Sequence, residues 1–481
     1  MTPSAGTYPP GFVDELVALL GPAGLRAGEA VRALDPGVHP GNLRAELLAR
    51  PDSVALTSAV LALASRHGVA VVAQGGRTGL AGGAVTRPGQ LILSLERLNR
   101  IESIGVAART AIVEAGVTLE ALETALAPHG LSAGIDLGAR GSATIGGLVS
   151  TNAGGIDAFR HGTMRERVLG LEAVLASGCV VGALGRVRKD NAGLPLRQLF
   201  IGAEGTLGVV TRVALALVPA RGPTRVALAL APTLGAEVVV LRALEAAGVE
   251  VAAAELMSGN HFRLTATALG IPAALGAAPA PFAVLFATAA HAGTPEEDPL
   301  ESVLAEALEA GTLSDVMLPK NAGEERDLWR IREDWAVDRE RPGGLWFDVS
   351  VPLDALDRYL ESLTGRVRAH DPSLEVYLVG HLADGNVHVT VNAAVPVTRR
   401  YAEIAPLVYA DLAALGGSFS AEHGIGTEKI AALEAWVGEP GIALMRRVKA
   451  AFDPAGILNP GKVLRLEGLR DPDIDADGPG H

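Results

Sequence analysis

Glycine arrives in clusters through the first half of this chain, and that pattern limits the fold more than any other feature. Gln74-Gly75-Gly76-Arg77-Thr78-Gly79-Leu80 is followed by Gly82-Gly83. Gly134-Ile135-Asp136-Leu137-Gly138 is followed by Ser142-Ala143-Thr144-Ile145-Gly146-Gly147 and Thr151-Asn152-Ala153-Gly154-Gly155. Residues 198–210, QLFIGAEGTLGVV, close the region. Such loops bring backbone segments close together and expose successive N–H groups, the geometry of an anion nest. The first cluster directly follows VAVVA, residues 69–73, an apolar run that reads as a buried strand. It is not a Walker loop, since no Gly-Lys-Ser/Thr follows, and its glycine spacing is not that of the Rossmann fingerprint. Small residues that merely ease packing are the plain alternative. A large flat ligand lying along the backbone accounts better for the later tracts.

The remaining pattern is mixed. PDSVALTSAVLALASRH, residues 51–67, predicts a helix capped by Asp52 or Ser53, and residues 118–127 predict another. LILSL (91–95) and AIVEA (111–115) read as strands. Near PARGP, residues 219–223, glycine thins out and a linker is expected. Beyond it, strands at 224–231 and 282–287 alternate with helices at 233–247 and 297–310, the signature of an α+β domain with an antiparallel sheet. No periodic repeat is evident, and the Ala-Pro stretch at 277–281 reads as a loop. At 481 residues two or more domains are expected. The net charge of −13 argues against a nucleic-acid partner. With Cys179 the only cysteine, no intramolecular disulfide can form, which fits a reducing compartment. No apolar run approaches the roughly 20 residues of a membrane span. The N-terminus lacks the features of a signal peptide, so a cytoplasmic location is the expectation. The acidic last residues, 471–481, read as a disordered tail.

In the second half, VGHLADGNVHVT (379–390) carries a hairpin signal with two histidines. With Asp384-Gly385 as a two-residue type I′ turn, His381 lies directly opposite His388, and two imidazoles share one face. SAEHGIGT (420–427) offers Glu422 and His423. Two His and one Glu form a familiar catalytic zinc set, but a solvated or structural histidine pair is equally compatible with the hairpin alone. LWRIREDW (328–335) reads as a helix burying Leu328, Ile331 and Trp335, with Arg332 at the edge of the apolar stripe. There it is either a solvated helix arginine or a bidentate grip for a carboxylate.

Taken in order, the motifs resemble the vanillyl-alcohol-oxidase type of FAD-binding domain, and within that group the D-2-hydroxyacid dehydrogenases acting on D-lactate, glycolate or D-2-hydroxyglutarate. The motifs are Gly-Gly-x-Thr-Gly, Asp-Leu-Gly, Ile-Gly-Gly, Asn-Ala-Gly-Gly, Ile-Gly-Ala-Glu-Gly-Thr-Leu-Gly, His-x-x-Asp-Gly-Asn-x-His and Ser-Ala-Glu-His-Gly. The likeness covers roughly residues 45–465, and the stretch 187–210 is especially similar to the hydroxyglutarate enzymes. The resemblance implies an α+β protein: a FAD-binding domain over 1–222, a ferredoxin-like substrate or cap domain over 223–449, and a segment from 450 to 481 that returns to the FAD domain. It implies that Gln74, Gly75, Gly76, Arg77, Thr78, Gly79 and Leu80 wrap the FAD pyrophosphate. Asp136, Leu137, Ser142, Thr144, Ile145, Gly146, Asn152 and Gly155 would line the cofactor track, and Glu204, Gly208 and Val210 the adenosine side. Asn459 and Lys462 would approach the cofactor. The first loop has no histidine, so FAD is expected to be noncovalent. His161 is expected to be structural.

The same resemblance implies that His381, His388 and Glu422 ligate a divalent metal, zinc being the expected ion. His423 would be the general base and Arg332 the holder of the substrate carboxylate. Asn386 would support the site or touch substrate. Three positions depart from the hydroxyglutarate relatives: Ala336 stands for a threonine, Trp346 for a lysine and Thr390 for an asparagine. All three family residues could grip a second carboxylate. Their loss predicts a substrate with an apolar side chain, such as D-lactate, 2-hydroxybutyrate or an aromatic analogue. D-2-hydroxyglutarate dehydrogenase and a glycolate oxidase subunit are the alternatives within the family. A flavin-binding electron-transfer subunit and a flavin-free metal hydrolase are the alternatives outside it. Electron-transfer flavoprotein or a quinone is the expected electron acceptor, and a homodimer the expected assembly.

Overall fold

The computed structural model describes residues 8–271, 280–290 and 299–465. The acidic tail and most of the Ala-Pro stretch lie outside the described residues. The chain divides into two compact units, one of Met1–Ala220 with Glu422–Ala476, the other chiefly Arg221–Ala421. The linker expected at 219–223 coincides with the first crossing. The first unit resumes at Glu422, well before the return at 450 drawn from the sequence. The cause lies in the hydrogen bonds that Glu204 makes to this segment, described below.

The first unit contains two main sheets. Strands β1 Leu25–Ala27, β2 Leu47–Ala49, β3 Val71–Gln74 and β4 Leu91–Ser94 lie in the order β1-β2-β4-β3. The last three are mutually parallel and β1 is antiparallel. Leu91, Ile92 and Leu93 are completely buried, as expected for a parallel strand covered on both faces. The helix Val54–His67 starts at Ser53, whose hydroxyl accepts the N–H of Leu56, and packs Val60, Leu61 and Ala64 into this core. The second sheet is antiparallel: β5 Ile101–Gly105, β6 Thr110–Glu114, β8 Val168–Val174, β9 Val180–Ala183 and β10 Val209–Ala216, in the order β5-β6-β10-β8-β9. A short pair, β7 Leu131–Ser132 with β11 Val218–Pro219, completes the unit. Leu458 bridges to Val71, which ties the C-terminal segment into the first core.

The second unit is one seven-stranded antiparallel sheet, β15-β12-β14-β13-β17-β18-β16. Its first half runs β12 Thr224–Ala231, helix Leu234–Ala246, β13 Val251–Ser258, β14 Phe282–Ala289, helix Pro299–Glu309 and β15 Asp315–Met317. Numbered within that half, the spatial order is 4-1-3-2, the ferredoxin-like order implied by the resemblance. Its second half repeats the scheme: β16 Leu345–Ser350, helix Leu356–His370, β17 Glu375–His381 and β18 Asn386–Asn392, in the order 2-3-1. The fourth strand of this half is reduced to one bridge between Ser350 and Ser418. The halves join through their equivalent strands, β13 and β17. An internal duplication is therefore present in topology although the sequence carries no detectable period.

Two local expectations are corrected. The β17–β18 loop is not the two-residue type I′ turn over Asp384-Gly385. Leu382–Asp384 form a 3₁₀ turn and Gly385 alone takes positive φ, at 72°. The register therefore pairs His381 with Asn386 and His388 with Val379, so the histidines are diagonal rather than opposed. The helix of 328–335 spans Ala322–Glu333 and stops short of Trp335, which is 56% exposed rather than buried. Leu328 and Ile331 are buried as expected.

Candidate active site

Strand periodicity of two gathers the second unit's polar side chains on one sheet face. The uninterrupted registers define three consecutive rows there. Glu255, His381, Asn386 and Ser350 form one; Met257, Val379, His388 and Asp348 the next; Tyr377, Thr390 and Trp346 the third. The intervening residues belong to the other face, where Phe347 stacks on Tyr401 at 5.6 Å and meets Tyr409 edge-on. The sequence-predicted residues His381, His388, Asn386, Thr390 and Trp346 thus share a surface. The two imidazoles lie with ring centroids 5.7 Å apart, nearly perpendicular.

Each histidine has a buried carboxylate behind it. Glu255 Oε1 lies 2.8 Å from His381 Nδ1, and Asp348 Oδ1 lies 3.5 Å from His388 Nδ1. Asn386 donates Nδ2 to Asp348 Oδ1 at 2.8 Å and to the Val349 carbonyl at 3.0 Å, so its role is to hold Asp348. For His381 the Glu255 carboxylate on Nδ1 fixes the tautomer in which Nε2 carries the lone pair, the form in which imidazole binds a metal, whereas Asp348 faces His388 as a charge partner only. The donor chemistry of this face therefore fits a divalent cation.

Glu255 also takes Arg332, whose Nη2 lies 2.7 Å from Oε2. Burial by itself would raise the Glu255 carboxyl, but the charges of His381 and Arg332 hold it below the ordinary carboxylate range. Arg332 Nε is buried with no partner among the described residues, which leaves the guanidinium a donor for a second carboxylate. Beside it, burial and then Arg332 push His261 down to about 4. Sequence reasoning missed Glu255. The available signal was a lone acid inside VAAAELMS, a strand buried at every position.

Trp346 is held by an indole N–H donated to Asp338 Oδ1 at 2.7 Å, and its ring lies 4.9 Å from that of Trp335. Thr390 is its direct neighbour across the strands. Ala336 is fully buried.

In the first unit the glycine tracts pack against each other. A Cβ on Gly76 would sit 1.9 Å from the Ser142 carbonyl oxygen, and one on Gly155 1.9 Å from that of Asp136. No side chain fits either crossing. Among the described residues, none of the backbone N–H groups from Gly75 to Gly83 donates a hydrogen bond within the chain. Buried N–H groups nearly always find a partner, and a run of this length, exposed at Gly79 but otherwise buried or half-buried, fits a cradle for phosphate oxygens. Arg77 adopts φ 56° within it and spends Nε on the Asp35 carbonyl. Gln74 is buried with Oε1 unpartnered. Thr144 caps the helix Ile145–Thr151, and Gly146 lies against Ala115. Leu137 packs at the edge of the adjoining core, and Asp136 pairs with Arg140 at 2.8 Å. Asn152 ends that helix in the left-handed conformation and accepts from Thr163 and Arg165.

The segment from Glu422 is bound into this unit. Glu422 Oε1 accepts the Gly155 N–H at 2.6 Å. Glu204, implied for the adenosine side, directs its carboxylate to the N–H groups of Ile425 and Gly426, at 2.7 and 2.9 Å. Burial raises its pKa, opposed by those two N–H groups. Gly208 and Val210 are packing positions, the former against Phe200 and the latter in the core. Asn459 donates to the carbonyls of Gly83 and Glu204. Lys462 is buried, donates to the Val85 carbonyl at 2.6 Å and is pushed down to about 7 by burial and by Arg87. His161 is half-buried against Gly134, in keeping with a structural position. No helix among the described residues is long and apolar enough to cross a membrane.

Comparison with known proteins gives a consistent result. A family model described as a FAD binding domain matches residues 45–183, and one described as the C-terminal domain of FAD linked oxidases matches residues 222–463. A mitochondrial D-2-hydroxyglutarate dehydrogenase of Arabidopsis thaliana is 35% identical over 429 residues, covering 89% of this chain and 76% of the relative. A D-2-hydroxyglutarate dehydrogenase of Xanthomonas citri pv. viticola is 36% identical over 426 residues, covering 86% and 88%. A putative mitochondrial D-lactate dehydrogenase of Schizosaccharomyces pombe is 31% identical over 460 residues, covering 90% and 87%. Among solved structures, p-cresol methylhydroxylase with substrate bound has a TM-score of 0.74 at 17% identity, covering 96% of this chain and 99% of that one. That likeness establishes the vanillyl-alcohol-oxidase-type fold.

Proposed function

Because the chain belongs to the FAD-dependent D-2-hydroxyacid dehydrogenase family, we propose that its substrates are D-2-hydroxy acids with apolar side chains and that His381, His388 and Glu422 hold a divalent metal, zinc being the expected ion. Oxidation of a D-2-hydroxy acid with FAD as acceptor is the activity of the family; the side-chain preference and the metal are our reading. When bound, FAD supplies an acceptor for the C2 hydride and the metal supplies Lewis acidity at the substrate oxygens.

The chain's own residues divide the remaining work. Arg332 orients the substrate carboxylate with the donor edge that Glu255 leaves available. His423 takes the hydroxyl proton as general base. The Glu255 carboxylate on His381 Nδ1 and the facing imidazole of His388 support the metal reading. Glu422 and His423 are included through the family motif Ser-Ala-Glu-His-Gly.

The observation that carries the substrate reading is Trp346. It lies on the site face where the hydroxyglutarate enzymes that this chain resembles carry a lysine. A partly buried hydrogen bond to Asp338 fixes it, so the position offers apolar surface instead of a cation. Ala336 likewise has no donor for a second carboxylate, and Thr390 offers a single hydroxyl where the relatives carry an amide. D-lactate, 2-hydroxybutyrate and aromatic analogues are the proposed substrates. The relatives named D-2-hydroxyglutarate dehydrogenase favour the competing reading. Steady-state kcat/KM for a panel of D-2-hydroxy acids with an artificial acceptor separates the two, and a maximum on D-2-hydroxyglutarate overturns the proposal. Electron-transfer flavoprotein or a quinone is the proposed physiological acceptor.

A further inference from the structure

We propose that Glu255 is the positioning residue that sets the metal-binding histidine and the carboxylate-binding arginine relative to one another. The inference rests on the reading of His381 and Arg332 given above and adds a residue to it. Glu255 is 2% exposed and its side chain meets both: one oxygen at 2.8 Å from His381 Nδ1, the other at 2.7 Å from Arg332 Nη2. It stands directly opposite His381 across β13 and β17, the seam between the two ferredoxin-like halves. Arg332 reaches it from the last turn of the helix Ala322–Glu333.

A carboxylate has two acceptor oxygens in one rigid plane. When both are used, the direction of the imidazole and the direction of the guanidinium are no longer independent. A 2-hydroxy acid presents its hydroxyl and its carboxylate on adjacent carbons, so the two protein groups that meet them need a fixed separation. Glu255 supplies that constraint from behind the site and touches no substrate atom. Its charge also offsets Arg332, which would otherwise be an unpaired cation with a side chain only 12% exposed.

The shared grip predicts a particular mutant phenotype. In Glu255→Gln one oxygen is replaced by an NH₂ group, which accepts nothing. The amide can serve His381 or Arg332 but not both. Zinc affinity and substrate KM therefore both deteriorate, although Arg332 is no metal ligand and His381 no carboxylate binder. Glu255→Asp keeps both acceptors one methylene short and gives an intermediate effect.

The test uses full-length FAD-loaded protein stripped of metal and titrated with Zn²⁺ against a chromophoric chelator. KM and kcat for D-lactate are measured after reconstitution, and thermal melts check the fold. The expected result for Glu255→Gln is a zinc affinity about 10–100-fold weaker together with a KM raised about tenfold or more, a larger change than that in kcat. Native zinc affinity and native KM in this variant overturn the inference. If Glu255→Gln fails to fold, the double variant Glu255→Gln/Arg332→Gln removes the stranded charge. Weakened zinc binding is expected there, and native zinc affinity overturns the inference. Failure of the unmutated protein to bind Zn²⁺, or full zinc affinity in His381→Ala, removes the metal reading itself. That outcome is distinct from a native metal site that ignores Glu255.

Discussion

Glu255 and His381 face each other across β13 and β17, with a carboxylate oxygen 2.8 Å from Nδ1. This contact bridges the two topologically equivalent halves of the second unit. Glu255 comes from the first half and His381, with His388 and Asp348, from the second, while Arg332 reaches Glu255 from the helix Ala322–Glu333 that connects the halves.

Removing either imidazole tests the metal proposal. His381→Ala and His388→Ala are each expected to lower kcat/KM by about a thousandfold, the size of a lost Lewis acid worth several kcal/mol. Bound zinc, measured by elemental analysis, should fall with it. FAD content should not, because the proposed cofactor track lies in the other unit. Full activity in a zinc-free His388→Ala protein would contradict the assignment.

Substrate preference is testable by restoring the family residues. Trp346→Lys combined with Thr390→Asn and Ala336→Thr should raise kcat/KM for D-2-hydroxyglutarate relative to D-lactate by roughly tenfold or more, since a hydrogen bond to a charged group is worth about 1.5–3 kcal/mol. Ala336 is completely buried, so the threonine is best added last and its effect on the melting temperature recorded. An unchanged preference ratio in the triple variant would remove Trp346 as the determinant.

His261 gives a signed pH dependence. Its folded pKa of about 4 lies below the unfolded value of 6.5. Between these values the unfolded chain binds a proton that the folded chain does not. The associated stability is therefore present above pH 6.5 and is lost as pH falls toward 4. Linkage places the loss at about 2 kcal/mol between pH 7.5 and pH 5. Urea midpoints of the native protein and His261→Gln at the two pH values check this. The native protein should lose the larger amount, and equal losses would contradict it.

The first-unit crossing is tested by a pair of glycines. Gly76→Ala drives a Cβ to 1.9 Å from a backbone oxygen, whereas a Cβ on Gly79 meets nothing within 4 Å. Gly76→Ala should lose bound flavin and destabilise the protein by more than about 3 kcal/mol, in the range of severe backbone and packing conflicts. Gly79→Ala should keep the fold. Flavin absorbance and thermal melts of the two proteins decide it.

Much of this architecture was legible from local chemistry. VAVVA and LILSL were legible as strands because apolar runs without polar alternation suit strands buried on both faces, but their parallel pairing was not. Ser53 announced its helix through its cap. The histidine hairpin was legible as a hairpin, but not its register. Asp384-Gly385 suggested a two-residue turn, whereas a 3₁₀ turn over Leu382–Asp384 lengthens the loop and slides His388 opposite Val379. The shift is by two residues, so both histidines stay on one face and the inference of a shared surface survives. Trp335 misled because its spacing from Leu328 matches a helix that in fact ends at Glu333. Glu255 was illegible for a deeper reason. Its partners lie far along the chain, and nothing local distinguishes an acid that is paired from one that is misplaced. The duplication was hidden because it resides in strand order, not in residue spacing.

The most direct test of the central claim is anaerobic reduction of the bound flavin, followed at its visible absorbance, on mixing metal-replete protein with paired D- and L-2-hydroxy acids. Rapid bleaching by D-lactate, D-2-hydroxybutyrate or an aromatic D-2-hydroxy acid, with the L-acids inert and D-2-hydroxyglutarate slow, is the predicted result. Bleaching fastest with D-2-hydroxyglutarate would contradict the substrate assignment, and no bleaching by any D-acid would contradict the proposed reaction at this site.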